Sequence, residues 1–232
     1  MRDLSFLTKK PIAHRGIHYS EPENTISAFK KAIEKGYPIE LDVQLSKDNE
    51  VVVFHDSSLY RLSGIDKKVG SLNYDELKEL CLNDSNEKIP TLKDSLKTIN
   101  GKVPVIIELK GNQKGHLLEE KVAKILDKYK GKFCIKSFNH DIVRWFYHNR
   151  PNFIRGLLLS SRRTKSSFKQ NLMIRLSKPD FISCNYQMGL KKVKRWRKKR
   201  PVFAWTIRDN DCFKRYQDNF DNLIVDFNKE DI

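Results

Sequence analysis

The sequence has 232 residues, of which 39% are hydrophobic, a length and composition ordinary for a folded cytosolic protein with one large barrel or two small domains. Its 45 Lys and Arg residues against 29 Asp and Glu residues give a net charge of +16, which attracts phosphates, anionic lipid surfaces, polyanionic polymers or nucleic acid. No run approaches the roughly 18 apolar residues of a spanning helix, and residues 1–10 lack the apolar core of a secretory signal. We therefore expect a cytoplasmic protein that is soluble or peripheral.

Short apolar runs alternate with amphipathic stretches of helical period along the whole chain. This alternation predicts a parallel sheet with helical crossovers, and eight such units favour a closed TIM (β/α)8 barrel over an open doubly wound sheet. The eight predicted strands are Pro11–His14, Ile39–Leu45, Val103–Leu109, Phe133–Phe138, Phe153–Leu159, Phe181–Tyr186, Val202–Ile207 and Leu223–Phe227. The predicted helices between them are Thr25–Lys35, Leu117–Tyr129, Asp141–His148, Phe168–Leu176, Leu190–Lys198 and Asp211–Gln217.

The first predicted helix has clear boundary signals. Asn24 is a natural N-cap, and Gly36 follows the last turn as a C-cap. The helix therefore begins just downstream of His14.

One further apolar run, Val51–His55, breaks the alternation because a short polar segment alone separates it from the second strand. A parallel crossover cannot be that short, so we expect an antiparallel hairpin that turns near residues 48–49. This turn sets Asp42 roughly opposite His55. Period two along the strand puts Glu40 and Asp42 on one face, beside that histidine.

The interval Asp56–Gly101 is longer than one crossover needs and contains helical patterns over Tyr74–Leu82 and Leu92–Ile99. We expect an inserted loop and helical subregion over the barrel mouth, within a single domain that spans residues 1–232. The cysteines are scattered without the spacing of a zinc or redox motif, so we expect reduced, mostly buried thiols. They are Cys81, Cys134, Cys184 and Cys212.

Acidic residues interrupt two of the predicted strands. Glu40 and Asp42 lie two residues apart on one strand, and Glu108 lies near the end of another. Three carboxylates make an oxygen-rich site suited to Mg²⁺ or Ca²⁺. Because acids in apolar strands are rarely buried unless they are paired, the alternative is that Glu40 and Glu108 neutralise Lys110 or Arg15.

Two histidines, His14 and His55, end predicted strands beside these acids and can exchange a proton near pH 7. Arg15 and Lys110 supply the positive charge that a phosphate needs. Together these residues predict a metal-assisted phosphodiesterase site. The other histidines are expected on the surface or in loops: His18, His116, His140 and His148.

These motifs occur together and in a fixed order. They are His14-Arg15-Gly16, Pro22-Glu23-Asn24-Thr25, Glu40-Leu41-Asp42-Val43, Asp48 with Val52-Val53-Phe54-His55-Asp56, Glu108-Leu109-Lys110 and Trp205-Thr206. As a set they resemble the glycerophosphodiester phosphodiesterase family, from Ala13 to about Asp226. The sequence differs from the family pattern at Arg208, where Asn is usual, and at Val225-Asp226-Phe227, which replaces Thr-Asp-Tyr-Pro.

The resemblance implies a TIM barrel that hydrolyses a glycerophosphodiester to glycerol 3-phosphate and an alcohol. It assigns a role to each motif residue: Glu40, Asp42 and Glu108 hold one divalent cation, Mg²⁺ or Ca²⁺, His14 and His55 form the acid/base pair, Arg15 and Lys110 contact the phosphate, and Trp205 lines the pocket near the glycerol moiety. The nucleophile is either water or the neighbouring glycerol hydroxyl. The alternatives are a lysophospholipase D or phospholipase-C-like lipid phosphodiesterase, and a non-catalytic polyanion-binding barrel.

A basic run over residues 191–200 holds eight Lys or Arg residues. Leu190, Val193 and Trp196 recur at helical spacing, which favours a barrel helix with one apolar stripe and a solvated basic face. The charge leaves peripheral contact with an anionic membrane or a polyanionic polymer open, and no nucleic-acid partner is expected.

Overall fold

The computed structural model describes residues 2–111, 115–161 and 166–227, in which eight parallel strands close into a barrel. The first strand pairs with both the second and the last, which closes the ring. The barrel strands are β1 Ile12–His14, β2 Ile39–Leu45, β4 Val105–Leu109, β5 Phe133–Ser137, β6 Arg155–Leu159, β7 Phe181–Asn185, β8 Val202–Ile207 and β9 Asn222–Val225, and the additional strand is β3 Val51–Val53. The TIM barrel expected from the sequence is confirmed. The expected domain ends, at residues 1 and 232, lie outside the described residues.

The helices alternate with the barrel strands, as the apolar periodicity predicts. They are α1 Ile26–Lys35, α2 Tyr60–Ser63, α3 Tyr74–Leu77, α4 Leu92–Ile99, α5 Leu117–Leu126, α6 His140–Asn149, α7 Ser167–Ser177, α8 Leu190–Arg197 and α9 Asn210–Tyr216. The helix expected over Tyr74–Leu82 is shorter than predicted. Its chain turns away after Leu77, and the N–H of Leu82 donates to the carbonyl of Glu87 instead of continuing the helix.

The N-cap of α1 is Thr25, so the prediction of Asn24 was wrong. The Thr25 hydroxyl accepts the N–H of Ala28, as an N-cap side chain does. Asn24 instead adopts a left-handed conformation, with φ 59°, and its side chain is used elsewhere. Gly36 is the C-cap with φ 69°, as expected.

β3 forms the expected hairpin with β2, but its register differs by one residue from the prediction. Val43 pairs with Val53, and the N–H of Phe54 donates to the carbonyl of Asp42 over 3.0 Å. Phe54 therefore lies opposite Asp42, and His55 lies one residue further along. The difference arises because the turn is centred on Asp48 rather than between Asp48 and Asn49.

The interior of the barrel changes from apolar to polar along its axis. One buried cluster joins residues from six barrel strands with Leu4 and Leu7: Ile12, Ile106, Cys134, Phe181, Phe203 and Ile224. Two residues further along each of these six strands, or just past its end, polar side chains and one tryptophan follow: His14, Glu108, Lys136, Ser183, Trp205 and Asp226. Parallel strands end together, so this second layer collects the functional side chains at the carboxyl end of the barrel.

A glycine makes room inside the barrel for an aromatic ring. A Cβ on Gly156 would lie 2.2 Å from the ring of Phe181, which is fully buried and 5.0 Å from the ring of Phe203. We expect Gly156→Ala to lower the free energy of unfolding by about 1–3 kcal/mol through overpacking, measured by urea denaturation. Gly189→Ala is the control, because a Cβ there meets no atom within 4 Å. Equal stability of the two variants would contradict the packing argument.

The four cysteines are free thiols. Cys134 and Cys184 are buried, and burial raises the pKa of both. Cys81 is exposed and Cys212 is half-buried, so the expectation of mostly buried thiols holds for two of the four. Among the helices of the described residues, none combines the length and the apolar composition needed to cross a bilayer.

Candidate active site

Three carboxylates converge at the carboxyl end of the barrel. One oxygen each from Glu40, Asp42 and Glu108 lies within 4.8 Å of the others, and all three residues are buried. The period-two spacing on β2 brings the first two together, and the pairing of Asp42 with Glu108 across β2 and β4 brings in the third. The predicted acid cluster therefore exists, and it could hold a metal ion.

Three basic groups neutralise these carboxylates. Lys110 Nζ lies 3.0 Å from Asp42 Oδ1 and 2.6 Å from Glu108 Oε1. Arg15 Nε lies 3.3 Å from Asp42 Oδ2. The pairing that the sequence offered as an alternative to metal binding is therefore present alongside the acid cluster.

The third basic group, Lys136, was missed by the sequence analysis. Its side chain is 2% exposed, and its Nζ lies 2.8 Å from Glu40 Oε1 and 3.5 Å from Glu108 Oε2. Lys136 stands in the apolar run Phe133–Phe138, so it was not predicted to be a site residue. The period of two could have found it, because this period sets which side chains of a strand face the barrel interior. Lys136 pairs with Glu108 in the ladder between β4 and β5, so the two side chains share that face.

The cluster consists of ionised pairs. Burial opposes ionisation of Asp42, but the charges of Lys110 and Arg15 hold its pKa well below the ordinary value. Burial likewise opposes the charged form of Lys136, and the charges of Glu40 and Glu108 raise its pKa. Three carboxylates therefore face three basic side chains in a cluster that is largely buried.

The acid cluster fits a hard divalent cation. Glu40 Oε1 and Glu108 Oε1 are buried and accept no well-aligned hydrogen bond from the described residues. The lysine ammonium groups of Lys136 and Lys110 lie 2.8 Å and 2.6 Å from these two oxygens, so ion pairs compensate the two carboxylates. Anionic oxygens that converge without hydrogen bonds are suitable Mg²⁺ or Ca²⁺ ligands.

Asn24 connects Asp42 and Arg15 through hydrogen bonds. Its Nδ2 donates to Asp42 Oδ2 over 3.0 Å, and its Oδ1 accepts the N–H of Asp42 over 3.3 Å. Its own N–H donates to the carbonyl of Arg15. The left-handed backbone conformation of Asn24 turns its side chain toward Asp42, so this side chain does not cap the helix.

His14 is held by a carboxylate from the far end of the chain. Its Nδ1 lies 2.5 Å from Asp226 Oδ1, and Arg208 Nε lies 3.0 Å from Asp226 Oδ2. His18 Nε2 lies 3.3 Å from Asp226 Oδ1. His18 lies in a loop, as expected, and the contact of its ring with Asp226 was not predicted from the sequence.

His55 has a carboxylate of its own at the mouth. Its Nδ1 lies 2.6 Å from Asp56 Oδ1, and Arg61 Nε donates to Asp56 Oδ2 over 2.6 Å. Arg61 also donates to Glu23, which accepts a further hydrogen bond from Arg15 over 2.6 Å. Both histidines are therefore oriented by a hydrogen-bonded carboxylate.

A cavity of about 980 Å³ opens against this cluster. His55, Glu108 and Lys110 line it, and Phe138 lies at its edge. The ring of Trp205, on β8, packs edge-on against Phe138 with 5.6 Å between centroids. The remaining lining is mostly polar: Gln44, Asp56, Ser57, Ser58, Arg61, Ser137, Asn139 and His140, with Tyr60, Leu109 and Gly111.

Asp226 makes stability depend on pH. Burial opposes its ionisation, but hydrogen bonds from His14 and His18 hold its pKa well below the ordinary value. Its ionised form therefore stabilises the fold above about pH 3.9, and this contribution is lost as the pH falls. We expect Asp226→Asn to lower the free energy of unfolding by about 1–3 kcal/mol at pH 7 and to flatten its decline in acid.

Urea denaturation over a pH series measures this effect. The exposed Asp66 provides the control, and Asp66→Asn should match the parent protein at every pH. An Asp226→Asn variant that loses stability in acid as steeply as the parent protein would show that the carboxylate is not responsible.

The fold and this cluster define a TIM-barrel enzyme whose site lies at the carboxyl ends of the strands. The profile of the Glycerophosphoryl diester phosphodiesterase family matches residues 14–229, so the chain belongs to that family. It is an enzyme with glycerophosphodiester phosphodiesterase activity, in agreement with its relatives. The family resemblance expected from the sequence motifs is confirmed.

Three relatives illustrate the similarity. The Bacillus subtilis protein YhdW is 30% identical over 240 residues, which cover 93% of each chain. A phosphodiesterase of Oleispira antarctica, solved in complex with the product sn-glycerol-3-phosphate, superposes with a TM-score of 0.87 at 25% identity, over 98% of this chain and 96% of its own. A glycerophosphodiester phosphodiesterase of Thermotoga maritima superposes with a TM-score of 0.79 at 31% identity, over 93% of both chains.

Proposed function

We propose that the protein hydrolyses glycerophosphodiesters to glycerol 3-phosphate and an alcohol by metal-dependent histidine acid/base catalysis. The observation that carries this proposal is the convergence of Glu40, Asp42 and Glu108 beside two histidines, each held by its own carboxylate. The product sn-glycerol-3-phosphate, bound to the Oleispira antarctica relative, supports the choice of substrate class.

His14 and His55 exchange the protons of the reaction. An ionised carboxylate only accepts hydrogen bonds, so Asp226 requires a proton on Nδ1 of His14, and Asp56 requires one on Nδ1 of His55. Each Nε2 is then free to take or give a proton. One histidine removes the proton of the nucleophile, and the other protonates the leaving alkoxide.

Arg15 and Lys110 contact the phosphate. Both are fixed by ion pairs with Asp42, so their charges are oriented before the substrate arrives. Fixed cations stabilise the negative charge that grows on the phosphoryl oxygens in the transition state. Trp205 lines the pocket near the glycerol moiety, which its position beside Phe138 of the mouth supports.

Glu40, Asp42 and Glu108 would hold one divalent cation, Mg²⁺ or Ca²⁺, which would supply Lewis-acid stabilisation of the negative charge that grows during the reaction. The buried oxygens without aligned hydrogen bonds support this assignment. Asn24 keeps Asp42 in position for it through two hydrogen bonds.

The test is release of glycerol 3-phosphate from glycerophosphocholine and glycerophosphoethanolamine by the purified protein. EDTA should abolish turnover, and added Mg²⁺ or Ca²⁺ should restore it. Turnover that continues unchanged in EDTA would refute the metal-dependent mechanism. Absence of turnover with every cation would refute the proposed substrates.

The mostly polar mouth favours these water-soluble substrates over the lipid substrates of a lysophospholipase D or phospholipase-C-like enzyme. The intact acid and histidine cluster argues against a non-catalytic polyanion-binding barrel.

Residues 1–232 are proposed to form one cytoplasmic domain, with residues 56–101 inserted over the mouth. The family match over residues 14–229 and the presence of Ser57 and Arg61 in the cavity lining support this arrangement. The net charge of +16 supports peripheral contact with an anionic membrane or polymer.

A further inference from the structure

Exposed apolar side chains are concentrated on one side wall of the barrel. Six large hydrophobic side chains of the described residues are exposed, and four of them lie on α7 or at the start of α8. Phe168 is 76% exposed, Leu172 43%, Leu176 40% and Leu190 39%. A solvated helix face normally carries polar residues, so a concentration of this kind marks a contact surface.

The apolar residues of α7 form a stripe that the barrel does not use. Phe168, Leu172 and Leu176 recur every fourth residue, which places them along one face of the helix. Gln170 and Ser177 of the same helix are buried instead, so the face toward the barrel is a different one. The stripe is therefore an outward feature and not part of the core.

Basic groups are concentrated on the same two helices. A cavity of about 510 Å³ lies between α7 and α8, and its lining contains no carboxylate. Its lining includes five cations: Arg175, Lys178, Arg195, Lys199 and Arg200. On α8 and just beyond it, Lys191, Lys194 and Lys198 are also exposed, while Val193 and Trp196 are buried.

We infer that α7 and α8 form a docking surface for an anionic phospholipid bilayer. The stripe of Phe168, Leu172 and Leu176 enters the headgroup boundary, and the cations between the helices contact lipid phosphates. An apolar face bordered by Lys and Arg is the pattern of interfacial membrane helices. An inorganic phosphate polymer has no apolar groups to contact Phe168, Leu172 and Leu176, and the two leucines offer no ring on which a nucleic-acid base could stack, so the combination favours a bilayer.

This surface gives a role to the basic run over residues 191–200, which the catalytic site does not use. It shares none of the proposed catalytic, phosphate-binding or metal-binding residues, and it does not depend on the proposed reaction. It also separates two functions on the molecule, since α7 and α8 lie on the barrel wall, whereas the substrate cavity lies at the carboxyl ends of the strands.

The test is binding of the full chain to phosphatidylcholine vesicles with and without phosphatidylglycerol, measured by co-sedimentation. The parent protein should bind the anionic vesicles and not the neutral ones. The triple variant Arg175→Glu, Arg195→Glu, Lys199→Glu should bind anionic vesicles roughly 100-fold more weakly. The double variant Phe168→Ser, Leu172→Ser should bind about tenfold more weakly at unchanged charge.

The matched control is Lys102→Glu, Lys128→Glu, Lys130→Glu, which reverses three exposed lysines around another cavity with the same change in net charge. It should stay within about threefold of the parent protein. An equal loss in the control would refute a specific surface, and full binding by the serine variant would refute the apolar contribution. The inference is overturned if inorganic polyphosphate binds the parent protein as tightly as the vesicles do and the serine variant keeps the same affinity for polyphosphate. That result would assign the surface to a polymer. Far-UV circular dichroism and urea denaturation of all variants verify that they are folded.

Discussion

His14→Ala and His55→Ala should each lower kcat for glycerophosphocholine by a factor on the order of 10²–10⁴. Each substitution removes a group proposed to take or give a proton, together with its hydrogen bond to Asp226 or Asp56. KM should change far less, because the phosphate contacts proposed for Arg15 and Lys110 remain. Steady-state kinetics at saturating cation measures both constants.

The control is His148→Ala, which removes an exposed imidazole of α6 and should leave kcat unchanged. A second comparison separates the roles of imidazole and carboxylate. Asp226→Asn keeps His14 but changes the acceptor at its Nδ1, so it should lower kcat less than His14→Ala does. Near-normal kcat in both histidine variants would show that these residues do not transfer the protons.

The acid cluster could be predicted from the sequence because its geometry is local. Glu40 and Asp42 share a strand, so the period of two decides that they share a face. Glu108 belongs to another strand, yet strands of a parallel barrel end together, and this places it beside the first two. The hairpin between β2 and β3 followed from a short polar connection, although its register differed by one residue.

The partners of these residues could not be predicted, because they depend on contacts distant in sequence. Asp226 meets His14 across 212 positions, and closure of the barrel alone decides that contact. Lys136 stands in an apolar run, and its acidic partners are decided by the pairing of β4 with β5. Asn24 matched the pattern of a helix cap, but its left-handed backbone turns it toward Asp42.

The charged side chains of the site form one connected network. Arg61 links Asp56 to Glu23, and Glu23 is hydrogen-bonded to Arg15. From there the ion pairs continue through Asp42, Lys110, Glu108, Lys136 and Glu40. Because neighbouring groups in such a network share partners, substitutions within it will not be additive. Single variants must therefore be compared with double variants.

Lys136 lies between two carboxylates of this network. We expect Lys136→Met to lower the free energy of unfolding by about 3–5 kcal/mol in EDTA. The substitution leaves Glu40 and Glu108 buried with one cation fewer, because Lys136 contacts both. A divalent cation that binds the same carboxylates should recover part of the loss, by about 2.7 kcal/mol at 100 times its Kd. Urea denaturation in EDTA, Mg²⁺ and Ca²⁺ measures both effects.

The double variant Lys136→Met, Glu40→Gln distinguishes charge from packing. It removes one carboxylate together with the lysine, so its stability in EDTA should exceed that of the single variant. Its response to Mg²⁺ or Ca²⁺ should be weaker, because one anionic ligand is missing. If Lys136→Met is instead as stable as the parent protein in EDTA, or gains no more from cations than the parent does, then Lys136 is not the group that balances these carboxylates before the metal binds.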